Sequence, residues 1–212
     1  MKLTKYEHAC VVLEEQGKKL VIDPGGFTKG FGELNNIVAV VVTHEHGDHF
    51  NAEHLDAIIA ANPGVKIFGP EEVTGQLTGK PATMVTGGDS ADVEPFKLRF
   101  TGEMHAEIYP GHVPVPHNVG VMVNGNVYYP GDSFVRPDLP VQTLLVPVSA
   151  PWLKLGESMD FVETLKPKIC IPTHNGLHND AGEQIVKNLL RSISDKHGVQ
   201  FTYLDAGQSI EV

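Results

Sequence analysis

The sequence predicts an α/β fold in which two β-sheets carry helices on their outer faces, and three observations predict it. Apolar runs of strand length alternate with segments of helical period along the chain. Its 22 Gly and 15 Pro punctuate these runs without gathering into a linker. Both halves combine strands with helices, with no repeat at a fixed period, which suits two similar layers. A length of 212 residues can bury a full core and fits one domain, residues 1–212, better than two.

The elements follow in order. TKYEHACVVLEE and KKLVIDPGG read as two apolar runs joined at Gln16-Gly17, where Gly17 supplies a hairpin turn, and Asp23-Pro24 stops the second. Ile37 to Val42 has no polar face and reads as a strand covered on both sides. Asn51 caps a helix through Ala61, with Leu55, Ile58 and Ile59 on its apolar face. Val65 to Phe68 is a short strand and Glu71 to Leu77 a helix, and Thr83 to Ile108 holds several short strands. Asn124-Gly125 between VGVMV and VYYPGD signals a hairpin, placing Gly131-Asp132 just past its second strand. Strand Thr143 to Val148, a helix from about Glu157 to Leu165, strand Ile169 to Pro172 and a long helix from Asp180 to His197 complete the pattern.

Composition excludes several classes. A formal net charge of -10 repels a phosphate backbone, so nucleic acid is not an expected partner. The start, MKLTKYEHACVVLEEQG, carries charges inside its apolar stretch and reads as a strand rather than a signal peptide. No run is long enough to span a bilayer, and a soluble, cytoplasmic protein is expected. Cys10 and Cys170 lie too far apart in sequence to form the framework of a small secreted domain, so reduced thiols are the simpler reading.

Chemistry is concentrated in His44-Glu45-His46-Gly47-Asp48-His49, between the apolar strand and the capped helix. An extended chain through His46 puts His44 and His46 on one side, able to hold one metal, with Glu45 turned away. Gly47 lets the chain turn, after which Asp48 and His49 can address a second metal. The chain holds 11 His, and 11 Asp can be counted in it. A chance match at four fixed positions is then on the order of one in a thousand over the chain, so a merely polar loop is a poor explanation.

The motif resembles the His-x-His-x-Asp-His signature of the metallo-β-lactamase fold superfamily. The resemblance covers nearly the whole chain, since Asp23, His105, Gly131-Asp132-Ser133 and Pro172-Thr173-His174-Asn175 stand in the family's order. It implies a four-layered αββα sandwich. It also implies that His44, His46 and His105 hold one metal, Asp48, His49 and His174 the other, and that Asp132 bridges them. His112 and His117 lie close enough in sequence to take the place of His105 and are otherwise candidate substrate contacts. Asp23 is expected to orient the histidine loop by accepting a hydrogen bond. Asn175 is a further candidate contact to ligands or substrate. His8 resembles the histidine after the first strand in the ascorbate-phosphate-lactonase-like and phospholipase-D-like branches, although Glu7 stands where those branches have glycine.

Two divalent cations are therefore expected, zinc first, with manganese or iron as alternatives. Cations of this kind lower the pKa of water towards neutrality, so no serine or cysteine nucleophile is required. Asp48 and Asp132 are the candidates to orient that water and receive its proton. The resemblance lies nearest the branch of the ascorbate-phosphate lactonase and uncharacterised hydrolases, which implies a small ester, lactone or phosphoester as substrate. A di-iron redox protein and a non-catalytic metal-binding protein of the same fold are the competing readings. Trp152, after the Thr143–Val148 strand, is a candidate pocket wall or packing residue, and the Gly25–Gly32 segment with Phe27 and Phe31 a candidate lid or plain surface turn.

Overall fold

The computed structural model describes residues 1–212 apart from Phe31 and Leu34, so the Phe31 half of the candidate lid lies outside the described residues. The chain opens with β1 (Lys2–Lys5), β2 (Val11–Glu15), β3 (Lys18–Ile22) and β4 (Ile37–Val41). The apolar run from Thr4 to Glu15 is thus two strands rather than one. It breaks at His8, whose φ of 57° is left-handed. Gln16 and Gly17 both have positive φ, at 52° and 73°, and close the β2–β3 hairpin.

Helix α1 (Ala52–Ala61) starts at Asn51, whose side chain accepts the His54 N–H. Next come β5 (Lys66–Gly69), α2 (Glu71–Gln76), β6 (Ala82–Met84), β7 (Ser90–Val93) and β8 (Phe96–Thr101). Strands β9 (Gly120–Val123) and β10 (Val127–Tyr129) flank Asn124 and Gly125, whose φ values of 53° and 63° provide the expected turn. After β11 (Thr143–Pro147), helix α3 (Leu155–Leu165) begins earlier than about Glu157, because the Glu157 carboxylate caps it by accepting the Lys154 N–H at 3.0 Å. The chain ends with β12 (Ile169–Thr173), α4 (Asp180–His197), β13 (Gln200–Phe201) and β14 (Ser209–Glu211).

Among the described residues the strands form two seven-stranded sheets, ordered β14-β1-β2-β3-β4-β5-β6 and β13-β12-β11-β10-β9-β8-β7. In the first, β3 to β6 run parallel; in the second, β10 to β13 do. Strand alternation sorts the side chains into layers. Leu20, Ile22, Ala39 and Val41 of the first sheet meet Phe96, Phe100, Val121, Leu145 and Ile171 of the second in the central core. Val21, Val40 and Ile67 face outward onto Leu55 and Ile58 of α1 and Val73 of α2. Tyr128, Leu144 and Val146 face outward onto Phe161 and Val162 of α3 and Val186 and Leu190 of α4. The architecture is the four-layered αββα sandwich. No helix among the described residues is long and apolar enough to cross a membrane.

Burial has a consequence at high pH. Cys10 and Cys170 are free and buried. Burial pushes the Cys170 thiol up to about 12, and raises Cys10, Tyr128 and Tyr129 as well. In the unfolded chain these groups release protons near pH 8.5 and pH 10, roughly, so above about pH 9 the unfolded state binds fewer protons than the native one and stability falls. Lys5, lowered by burial to about 8, works in the opposite sense between about pH 8 and 10.4, but it is one group against several, Tyr6 and Tyr203 being raised as well. The urea midpoint is expected to drop between about pH 9 and 11, with a shallower slope in Cys10→Ala/Cys170→Ala. An equally steep fall in that variant would show that the thiols do not contribute.

Candidate metal centre

The side chains of the centre come from loops at the ends of strands. Asp23 follows β3, His44 to His49 follow β4, Asp132 follows β10 and His174 follows β12, all at carboxyl ends of parallel strands. His105 comes from the segment after β8, and His8 from the turn after β1. The structure brings His44, His46 and His105 into one group of potential metal donors, and Asp48, His49 and His174 into another together with His8. Asp132 joins His44 and His49 in a third group that connects the two.

The distances suit a cation. A tetrahedral zinc with bonds of about 2.0–2.1 Å holds its ligand atoms roughly 3.3 Å apart. His44 Nε2 is 3.1 Å from His46 Nδ1, and His49 Nε2 is 3.2 Å from Asp132 Oδ1. Asp132 Oδ2 lies 3.4 Å from His105 Nε2 and 3.2 Å from His174 Nε2, which is itself 3.4 Å from Asp48 Oδ2. Four of these atoms, His49 Nε2, His105 Nε2, His174 Nε2 and Asp132 Oδ1, are buried and have no hydrogen-bond partner among the described residues. Buried polar atoms left unpaired cost about 1–3 kcal/mol each, and cations held by the two donor groups, with Asp132 between them, would satisfy all four.

The opposite edges of the His44, His49, His105 and His174 rings are anchored, which fixes their tautomers. His105 Nδ1–H donates to Ala106 O, and His174 Nδ1–H to Ser149 O. A carbonyl only accepts, so Nε2 of both rings carries the free lone pair. His49 Nδ1–H donates to Asp23 Oδ2 at 2.6 Å. Asp23 also accepts the Thr43 N–H at 2.7 Å and the Thr43 hydroxyl at 2.8 Å. Because that hydroxyl has spent its proton, it accepts from His44 Nδ1 at 3.1 Å, leaving His44 Nε2 for the centre. Asp23 therefore orients two rings of the histidine loop, one of them through Thr43.

His8 is 1% exposed and its ring is fixed from both ends. Its Nδ1 accepts the Gly176 N–H at 3.0 Å, so Nε2 bears the proton and donates to Asp48 Oδ2 at 2.9 Å. The ring lies tilted by 50° against that of His174, with centroids 3.8 Å apart, and the His174 backbone N–H donates to His8 O at 2.8 Å. The left-handed turn that splits the first strand pair thus places a donor on Asp48, despite the missing glycine before it.

Electrostatics follow from packing carboxylates among imidazoles. Burial opposes charge on His49, but Asp132 and Asp23 outweigh it and hold the ring well above its ordinary value. Burial likewise opposes charge on His174, yet the Asp132 carboxylate raises it to about 9. Burial lowers His44, His46 and His8. Asp132 is held well below the carboxylate range despite burial, by His49 and His174, and Asp48 is lowered despite burial by His174 and His8.

Other expected residues stand apart. His117 Nδ1 bonds Glu72 Oε1 at 2.8 Å, and His112 is exposed beside Tyr109, so of the three candidates only His105 joins the donor groups. Asn175 accepts from Lys5 Nζ at 2.9 Å and donates to Glu183 and Tyr203, a buried network supporting the turn after His174. Glu45 points away, as its period implies, and accepts from Gln76 Nε2 at 3.0 Å. Gly47 is not the steric requirement that its place in the motif suggests: it lacks a left-handed φ, and a Cβ there meets nothing within 4 Å. Close approach falls instead at Gly25, where a Cβ would lie 1.8 Å from Asp48 O, and at Gly131, where it would lie 2.3 Å from Asn118 Oδ1. The segment after Asp23 is tied down by Gly26 N–H to Gly47 O at 2.7 Å, with the Phe27 ring 4.8 Å from that of His8.

Three contributors escaped the sequence reading. Thr43 and Asn118 belong to no local motif; Asn118 Oδ1 accepts the Asp132 N–H at 3.0 Å, and its Nδ2 donates to Pro130 O at 2.9 Å. The contact of Trp152 with Asp132 also gave no signal, although its position after a strand drew attention to the residue.

A four-layered sandwich with this donor set at its strand ends defines the metallo-β-lactamase class of fold. The family described as Beta-lactamase superfamily domain matches residues 2–174, and the chain belongs to that superfamily. Protein Rv0786c of Mycobacterium tuberculosis is 30% identical over 182 residues, covering 84% of this chain and 85% of that one. A UPF0173 metal-dependent hydrolase of Flavobacterium johnsoniae is 27% identical, covering 100% of both chains. Among solved structures, Igni18, a novel metallo hydrolase from the archaeon Ignicoccus hospitalis, has a TM-score of 0.74 at 21% identity, covering 100% of this chain and 98% of that one. At that identity the likeness is one of fold.

Proposed function

We propose that this protein is a metal-dependent hydrolase with two divalent cations, zinc first among them, acting on a small ester, lactone or phosphoester. The observation that carries this reading is that His49 Nε2, His105 Nε2 and His174 Nε2, buried and without a hydrogen-bond partner among the described residues, all face the Asp132 carboxylate, whose Oδ1 is likewise unpaired. The name of the Flavobacterium johnsoniae relative supports it.

His44, His46 and His105 would hold one cation and Asp48, His49 and His174 the other, with Asp132 shared. Bound divalent cations supply Lewis acidity and lower the pKa of water. The chain's own part is positional. Asp23, Thr43 and the Ala106 and Ser149 carbonyls hold lone pairs inward, and His8 holds Asp48. Asp48 and Asp132 are the carboxylates placed to orient a water and take its proton. The net charge of -10 favours a small molecule over nucleic acid as substrate.

Metal analysis of the purified protein, joined to a screen of lactones, thioesters, phosphodiesters and phosphomonoesters with and without chelator, tests the proposal. Two equivalents of metal are expected, with turnover of one class that chelation abolishes and zinc, manganese or iron restores. Full activity in a metal-free preparation would refute it.

A further inference from the structure

Trp152 is the chain's single tryptophan. Its indole Nε1–H donates to Asp132 Oδ2 at 2.8 Å. The same oxygen faces His105 Nε2 and His174 Nε2, at 3.4 and 3.2 Å, while Oδ1 is unpartnered and faces His49 Nε2 at 3.2 Å. The indole cannot swing freely. Its ring lies edge-on to His105 at 5.9 Å and to Phe134 at 5.3 Å, and Phe134 packs 5.3 Å from Phe161 on α3. An aromatic stack therefore runs from the outer helix to the carboxylate and aims the N–H.

The donor's chemistry matters. An indole N–H donates but never accepts and carries no charge. It fixes which way the Asp132 carboxylate faces without neutralising it, whereas a lysine or arginine in its place would cancel the charge that draws a cation. With Asn118 holding the Asp132 backbone N–H, the indole supplies the remaining constraint, rotation of the carboxylate about its own bond.

We propose that Trp152 is a positioning residue for Asp132, keeping Oδ2 towards His105 and His174 and Oδ1 towards His49, and thereby raising affinity for the second cation. The inference rests on the two-cation reading above. It predicts that zinc titrated into metal-free protein changes the tryptophan emission in step with binding. In Trp152→Phe, which keeps the aromatic stack but loses the N–H, the Kd of the weaker zinc equivalent is expected to rise by about 10- to 100-fold. The melting temperature of the metal-free variant should stay close to that of metal-free wild type, whereas a purely packing role would move that temperature and spare the affinity. Wild-type zinc affinity in Trp152→Phe, or a wild-type emission unchanged at saturating zinc, overturns the inference alone. A wild-type protein that binds no zinc overturns the two-cation reading and this inference with it. Should Trp152→Phe fail to fold, the wild-type emission titration decides.

Discussion

Asp132→Ala is expected to lower hydrolysis by at least ~10³-fold and to reduce the zinc content from two equivalents to one or none. Asp132 is 3% exposed, and its two oxygens lie within 3.2 to 3.4 Å of three histidine nitrogens that have no hydrogen-bond partner among the described residues. Removing it takes away the carboxylate that connects the two donor groups and the negative charge that would offset bound cations. The sheets should survive, since Asp132 lies past the end of β10 and its neighbours Tyr128 and Tyr129 stay buried among apolar side chains. Circular dichroism and zinc analysis on one sample separate loss of the site from loss of the fold. Glu163→Ala is the control. It breaks surface contacts with Lys196 and His197 far from the site, so it should leave both the melting temperature and turnover close to wild type. Wild-type turnover by Asp132→Ala would remove this carboxylate from the chemistry.

What the sequence revealed and what it withheld differ in range along the chain. The His44 to His49 run, the Asn51 cap and the Asn124-Gly125 turn are local, so residue type and spacing were enough. The supports of the site are not local. Thr43 meets Asp23 across 20 residues, Trp152 meets Asp132 across 20 and His8 meets Asp48 across 40, and no periodicity records such meetings. His105, His112 and His117 are chemically alike. Only the fold separates them, by pairing Met104 with His117 and sending the His117 ring to Glu72. Strands β13 and β14 also left no trace, because Gln200–Phe201 and Ser209–Glu211 are too short to show a period. They exist through pairing with β12 and β1.

The second large effect is expected where no motif pointed, at Gly25. A Cβ there would stand 1.8 Å from Asp48 O and 2.5 Å from His49 N, both backbone atoms that cannot rotate aside as a side chain would. The loops are also stitched together, Gly26 N–H to Gly47 O at 2.7 Å and Asp23 to Thr43 and His49. One added methyl must therefore separate the segment after Asp23 from the histidine loop. Gly25→Ala should cost about 3 kcal/mol or more, lowering the melting temperature by roughly 6–12 °C, and should weaken zinc binding because Asp48 and His49 move with their backbone. Gly47→Ala, inside the motif itself, has open space around the new methyl and no left-handed φ, so it should stay within about 1 kcal/mol of wild type. A melting experiment in which Gly25→Ala matches wild type while Gly47→Ala does not would reverse the assignment. The opposite result would place the steric constraint on the metal loop in the turn after β3, twenty-odd residues before the histidines it holds.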